Sequence, residues 1–187
     1  MNKIILSLAT MATLATLSNA GGLSPDKSVG NVKLSVGQAS FEDESSTLYT
    51  LEIGGNYYYN NGVLWGAEFG FGYTENPDET VTTTAMGEIN GQFRLGYSFG
   101  RTGKGLGLYG LFDMSYLMYN YNDYNPITGE LQDEINFATG MGFGGGAEYI
   151  FDSGWLVTAT YSTMSMSPDI GGEFDYTKAL VGVGYTW

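Results

Sequence analysis

The stretch YTLEIGGNYYYNNGVLWGAEFGFGY, residues 49–73, decides the fold. Tyr49, Leu51, Ile53, Gly55, Tyr57 and Tyr59 alternate with Thr50, Glu52, Gly54, Asn56 and Tyr58. After Asn60-Asn61-Gly62, a second run places Val63, Trp65, Ala67, Phe69, Phe71 and Tyr73 against Leu64, Gly66, Glu68, Gly70 and Gly72. A period of two sends successive side chains to opposite faces of a pleated strand. Asn-Gly between two such runs is a tight-hairpin signal. The segment predicts an antiparallel hairpin with one bulky apolar face and one face of glycine, polar and charged residues.

The same pattern extends in both directions. Downstream, Ile89, Phe93, Leu95, Tyr97 and Phe99 oppose Glu88, Asn90, Gln92, Arg94 and Ser98. Leu106, Leu108, Phe112, Met114, Tyr116 and Met118 oppose Gly107, Tyr109, Asp113 and Ser115. Three more runs follow, carrying Met141, Phe143 and Tyr149, then Trp155, Val157 and Tyr161, then Val181, Val183, Tyr185 and Trp187. Upstream, Val32, Leu34 and Val36 alternate well, but Ala39 and Phe41 fall on the other parity, which predicts a bulge near Gly37. That makes eight strands. Three turn-like connections alternate with four longer, acidic ones.

Beyond residue 20 no apolar run is long enough for a membrane-spanning helix, although 43% of residues are hydrophobic and 15% aromatic. Only helices and closed barrels satisfy every backbone group in lipid. A soluble barrel such as a lipocalin would bury the bulky face inside, yet an eight-stranded interior has room only for its own modest side chains. The bulky face belongs outside. The fold class is therefore all-β, an eight-stranded antiparallel up-and-down transmembrane β-barrel. Tyr57, Tyr59, Trp65, Tyr97 and Trp155 cluster beside the short turns, and Tyr49, Tyr73, Tyr116 and Tyr161 toward the other ends. Trp and Tyr favour the membrane interface, so these read as two interfacial girdles.

The N-terminus fits an exported protein. Lys3, an uncharged stretch from Ile4 and the small-residue ending Ser18-Asn19-Ala20 read as a cleaved signal peptide over residues 1–20, too short and too rich in Ser and Thr for a permanent anchor. Residues 21–187 then form one barrel domain. The full chain has a net charge of −13, which argues against a nucleic-acid partner. There is no cysteine for disulfides and no histidine. His-assisted hydrolases are excluded in their usual form, and without His or Cys an ordinary zinc site is not expected. No catalytic residues, metal or cofactor are expected, and a monomer is.

The C-terminal Gly182-Val183-Gly184-Tyr185-Thr186-Trp187 resembles the signal that the outer-membrane barrel-assembly machinery reads, with Gly182, Tyr185 and Trp187 at its key positions; Leu180 departs from the usual polar residue two before the Gly. With the signal peptide, strand count and length, the chain resembles the small outer-membrane barrels of the OmpA transmembrane-domain, OmpX and Opa type. That resemblance implies a Gram-negative outer-membrane location and structural, adhesive or immune-evasion roles. Short turns on the periplasmic side place both termini there.

Two polar features remain. Glu52, Glu68, Arg94, Asp113 and Lys178 share a level on the inner face, with Glu88 nearer the outer end, Glu148 nearer the inner end and Lys33 on strand one. They read as an ion-pair network filling a narrow barrel. The alternative is a narrow, weakly cation-selective pore, for which the inward Gly66, Gly70, Gly72, Gly140, Gly142, Gly144, Gly182 and Gly184 leave space. The outer loops carry Glu42, Asp43, Glu44, Glu75, Asp78, Glu79, Asp123, Glu130, Asp133, Glu134, Asp169, Glu173 and Asp175 without a single Lys or Arg. They read as a solvated, like-charge surface, or as carboxylates that Mg²⁺ or Ca²⁺ bridges to lipopolysaccharide. The longest loop, Tyr119 to Ile135, is expected to be a mobile surface loop or a projecting hairpin that binds host or cell-surface molecules. The leading function is structural or adhesin-like, through acidic loops facing outward; the pore is the alternative, and an enzyme is not expected.

Overall fold

In the computed structural model, residues 26–41, 44–75, 85–100, 103–124, 131–169 and 172–187 are described. The expected signal peptide over residues 1–20 lies outside them, as do Glu42, Asp43, Asp78, Glu79 and Glu130 of the loops. The alternating segments form β1 (Lys27–Phe41), β2 (Glu44–Tyr58), β3 (Val63–Glu75) and β4 (Ala85–Ser98). They continue as β5 (Gly105–Tyr124), β6 (Leu131–Ile150), β7 (Trp155–Pro168) and β8 (Phe174–Thr186). Each pairs antiparallel with its sequence neighbours, and β8 pairs with β1 to close the barrel.

Register fixes the barrel's shape. Following paired residues from Asn31 through Gly54, Glu68, Gln92, Asp113, Gly142, Met164 and Tyr176 returns to β1 at Phe41, ten residues beyond the start (41 minus 31). With ordinary strand rise and spacing, that stagger over eight strands tilts them by roughly 40° from the barrel axis. The interior is narrow enough for side chains to meet across it.

Two of the short turns share one construction. Tyr59 N–H bonds the Val63 carbonyl at 3.0 Å and Gly62 N–H the Tyr59 carbonyl at 2.8 Å. Phe151, Gly154 and Trp155 repeat this at 2.9 and 3.0 Å. Gly62 and Gly154 have φ of 88° and 89°, a conformation that penalises a Cβ. These are three-residue loops closed by a left-handed glycine. Each glycine carbonyl then accepts a neighbouring strand's N–H, from Ser98 at 2.7 Å and from Thr186 at 2.8 Å. Tyr97 and Tyr185 lie over the two glycines.

The expected bulge near Gly37 is absent. β1 pairs with β2 and β8 without interruption through Gly37. Ala39 faces inward and is fully buried, and the partly buried Phe41 packs on the same inner cluster, because the interior near the long loops is apolar. Gly37 marks a close approach instead: a Cβ there would lie 1.9 Å from the Ala179 carbonyl oxygen.

The core lies inside the barrel in two apolar layers. Near the short turns sit Val29, Tyr58, Leu64, Tyr109, Leu111, Ile150 and Leu156. Near the long loops sit Ala39, Leu48, Leu117, Ala138, Met164, Met166, Tyr176 and Leu180. The outer face exposes a band of large apolar side chains, among them Leu34, Met141, Phe143 and Val181, each more than half exposed. Only lipid or an equivalent apolar medium covers such a band favourably.

Candidate functional site

Between the two apolar layers lies a layer of charge. On β1, β2, β5 and β6, the charged residues Lys33, Glu52, Asp113 and Glu148 each stand between a member of one apolar layer and a member of the other. Glu68, Glu88, Arg94 and Lys178 join them, and all eight are at most 3% exposed. Alternation puts them inside, since each shares its strand's inward parity.

They form two clusters. Near the short turns, Glu68 takes ion pairs from Arg94 and from Lys33, the latter at 2.6 Å. Lys33 also reaches Glu52 at 3.4 Å, and Arg94 approaches Glu148 at 3.8 Å. Glu52 accepts from Ser35 Oγ at 2.9 Å, while Glu148 accepts from Tyr58 Oη at 2.9 Å and Asn56 Nδ2 at 3.2 Å. The Arg94 guanidinium sits 4.7 Å above the Tyr109 ring, a cation–π contact at the boundary with the apolar layer. Nearer the long loops, Lys178 bridges Glu88 at 2.7 Å and Asp113 at 3.1 Å. Glu88 also accepts from Ser115 and Tyr176, and Asp113 from Ser162 at 2.9 Å. Buried charges are tolerated when paired and hydrogen-bonded in this manner.

Several inward glycines make room for these side chains. A Cβ on Gly54 would meet Glu68 Cγ at 2.6 Å, and one on Gly66 would meet Asn56 Oδ1 at 2.0 Å. A Cβ on Gly72 would meet Glu88 at 3.1 Å, and one on Gly107 would meet Glu148 at 3.0 Å. Long polar side chains thus lie across neighbouring glycines. The charges stand out in the sequence by residue type, whereas their neutral partners Asn56, Tyr58, Ser115, Ser162 and Tyr176 are marked by inward parity alone.

The aromatics near the short turns are mutually packed. Tyr57 stacks on Trp65 with centroids 4.5 Å apart, and Trp65 Nε1 donates to Tyr59 Oη at 3.2 Å. Trp155 meets Tyr185 edge-on at 6.1 Å. Of the C-terminal residues, Gly182 faces inward against Ser35 and Thr158. Tyr185 and Trp187 face out, and the Trp187 indole covers Gly30. Among the described residues, no group of three or more His, Cys, Asp or Glu gathers at metal-binding distance. Asp169, Glu173 and Asp175 are exposed at the long-loop end.

No curated protein matches this sequence. Among solved structures, the fold is similar to Neisserial surface protein A, with a TM-score of 0.57 at 14% identity over 84% of this chain and 96% of that one. It is similar to Ail, the attachment invasion locus protein of Yersinia pestis, with a TM-score of 0.52 at 16% identity over 86% and 97%. At such identities the likeness is one of fold. A family model described as outer membrane protein beta-barrel domain matches residues 4–186, nearly the whole chain. The closed barrel with its apolar outer band agrees with that description, and the chain belongs to the outer membrane protein beta-barrel domain family.

Proposed function

We propose that this chain is an envelope protein whose barrel is a filled, closed anchor and whose long-loop end meets molecules at the cell surface. The observation that carries this reading is the layered interior: two apolar layers seal a charged layer whose members are ion-paired. An anchor of that kind leaves the work to what projects from it.

The projecting element is the β5–β6 hairpin. β5 and β6 pair as far as Tyr124↔Leu131. β4 stops pairing with β5 at Met86↔Tyr119, and β7 stops pairing with β6 at Ala138↔Pro168. Among the described residues, neither β4 nor β7 pairs strand-to-strand with the hairpin beyond those points, and a projecting hairpin edge is a surface suited to adding a partner's strand. The similar folds belong to proteins called a surface protein and an attachment invasion locus protein, which supports the reading. The partner is a host or cell-surface molecule of neutral or positive character, because the loops hold acids and no bases. Deleting residues 121–134 is expected to abolish binding to host cells while leaving heat-modifiable gel migration intact. Unchanged binding would remove the hairpin from this role.

In this reading residues 1–20 direct export, Gly182, Tyr185 and Trp187 are read by the barrel-assembly machinery, both termini face the periplasm, and the barrel works as a monomer. The acidic loops meet lipopolysaccharide through Mg²⁺ or Ca²⁺. Chelator is then expected to lower the melting temperature in lipopolysaccharide and not in plain detergent; equal shifts in both would dispose of the bridge.

A further inference from the structure

The outer apolar band is not equally tall around the barrel. On β5 its side chains run from Leu106 to Met118, twelve residues along the strand (118 minus 106). On β7 they run from Trp155 to Tyr161, six residues (161 minus 155), and the exposed Thr163, Ser165 and Ser167 follow. Those three stand as far from Trp155 as Met114, Tyr116 and Met118 stand from Leu106. β8 and β1, the next strands round, share the short form: beyond Ala179 come Thr177 and Asp175, and beyond Val36 come Gln38 and Ser40. At ordinary strand rise and a tilt of roughly 40°, twelve residues span roughly 30 Å of height and six span roughly 15 Å.

The step lies at the long-loop edge. Leu106 and Trp155 are the second and first residues of their strands, so the short-turn edge is level. Tilting a rigid barrel moves both edges together and leaves the short side short. The apolar band of an outer-membrane barrel is about 25 Å tall, which the β5 side meets. On the β7–β8–β1 wall, hydrocarbon of that thickness would bury Thr163, Ser165 and Thr177 and bring the Asp175 carboxylate, paired in register with Ser165, to its edge. Hydroxyls and carboxylates are costly in hydrocarbon, whereas a bilayer thins locally at a modest cost per ångström of mismatch.

We propose that the β7–β8–β1 wall thins the bilayer on one side of the barrel, where its partner is phospholipid with short or loosely packed acyl chains. The membrane surface steps down from the level of Met118 beside β5 to that of Thr163 beside β7. The β1–β8 pairing that closes the barrel stands in the thinned sector. This device needs only the membrane-spanning fold and is independent of binding by the hairpin.

The chain has no cysteine, so single nitroxide labels can be carried on Leu106→Cys, Met114→Cys, Trp155→Cys and Thr163→Cys. Each variant is refolded into vesicles of dioleoyl phosphatidylcholine. Depth is read from the label's accessibility to oxygen, which concentrates in hydrocarbon, against a water-soluble nickel chelate. Labels at 106 and 155 should lie at equal depth, and the oxygen-to-nickel ratio at 114 should exceed that at 163 severalfold. Equal ratios at 114 and 163 overturn the proposal, since the hydroxyl wall then sits in hydrocarbon. A difference between 106 and 155 as large as that between 114 and 163 overturns it too, as a tilted barrel in a flat bilayer. A label at 163 shielded from both reagents marks protein cover on this wall and has the same consequence.

Urea unfolding gives a second readout in dilauroyl, dimyristoyl and dioleoyl phosphatidylcholine, fluid bilayers of rising thickness. The unaltered barrel's midpoint should fall along the series. Thr163→Leu, Ser165→Leu and Thr177→Leu together raise the short wall and should cut that fall by about half. Thr139→Leu, between Met141 and Phe137 on β6, adds an apolar side chain without raising the short wall and should leave the fall unchanged. An undiminished fall in the triple variant counts against the proposal.

Discussion

Arg94 shows how a single residue ties the barrel's centre together. It is fully buried, pairs with Glu68, approaches Glu148 and covers the Tyr109 ring. Replacing it leaves Glu68 ion-paired to Lys33 and Glu148 hydrogen-bonded to neutral donors. Breaking a buried pair from one side costs about 3–5 kcal/mol, most of it from the charge left behind. Arg94→Met should therefore lower the unfolding free energy by about that much, measured by urea unfolding in lipid vesicles. Arg94→Met combined with Glu68→Gln should be less destabilised than Arg94→Met alone, because the orphaned carboxylate goes with its partner. If the double variant is the weaker, the two residues do not act as a pair.

At the scale of strands and turns, Gly62 and Gly154 make the sharpest case. Each has a positive φ and an aromatic ring over it, so alanine meets backbone strain and the Tyr97 or Tyr185 ring together. Left-handed backbone alone costs about 1–2 kcal/mol at a residue with a Cβ. Gly62→Ala and Gly154→Ala should lower the melting temperature, whereas Gly172→Ala, with nothing within 4 Å of the added carbon, should not. Equal effects at all three would detach the loss from turn geometry. These turns also show what the sequence discloses. Asn60-Asn61-Gly62 and Asp152-Ser153-Gly154 announce a turn after an alternating strand, and both turns are there. Their shared three-residue form, and the rings that cover them from the next hairpin, depend on register. Register is set around the whole barrel by pairings that no one strand records. Ala39 and Phe41 illustrate the same limit: their parity was visible as a break in the outer pattern, but a bulge and an apolar inner layer leave the same trace in one strand. Only closure against Leu48, Met164 and Tyr176 separates the two. Charge, by contrast, was plain, since a Glu or Arg at an inward position of a narrow barrel must find a partner there.

For the molecule as a whole, the decisive property is whether anything passes through it. An aqueous path needs a continuous polar lining, and here the charged layer is bounded on both sides by buried apolar side chains: Tyr58, Leu64 and Leu156 toward the short turns, Leu48, Leu117 and Met166 toward the long loops. Eight strands at this stagger leave an interior that side chains fill. The mature barrel refolded into planar bilayers is therefore expected to give no discrete conductance steps, with heat-modifiable migration confirming that it has folded. Glu68→Gln with Arg94→Met loosens the charged layer and leaves both apolar layers in place, so it should be equally silent. Widening the lumen where the barrier lies should act differently. Leu48→Gly with Leu117→Gly removes two fully buried side chains from the long-loop layer and is expected to raise current only if the short-turn layer is also opened, as by Leu64→Gly. Steps from the unaltered barrel that respond to the Glu68 and Arg94 substitutions would make the charged layer a permeation path for cations, and the anchor reading would give way to a narrow channel.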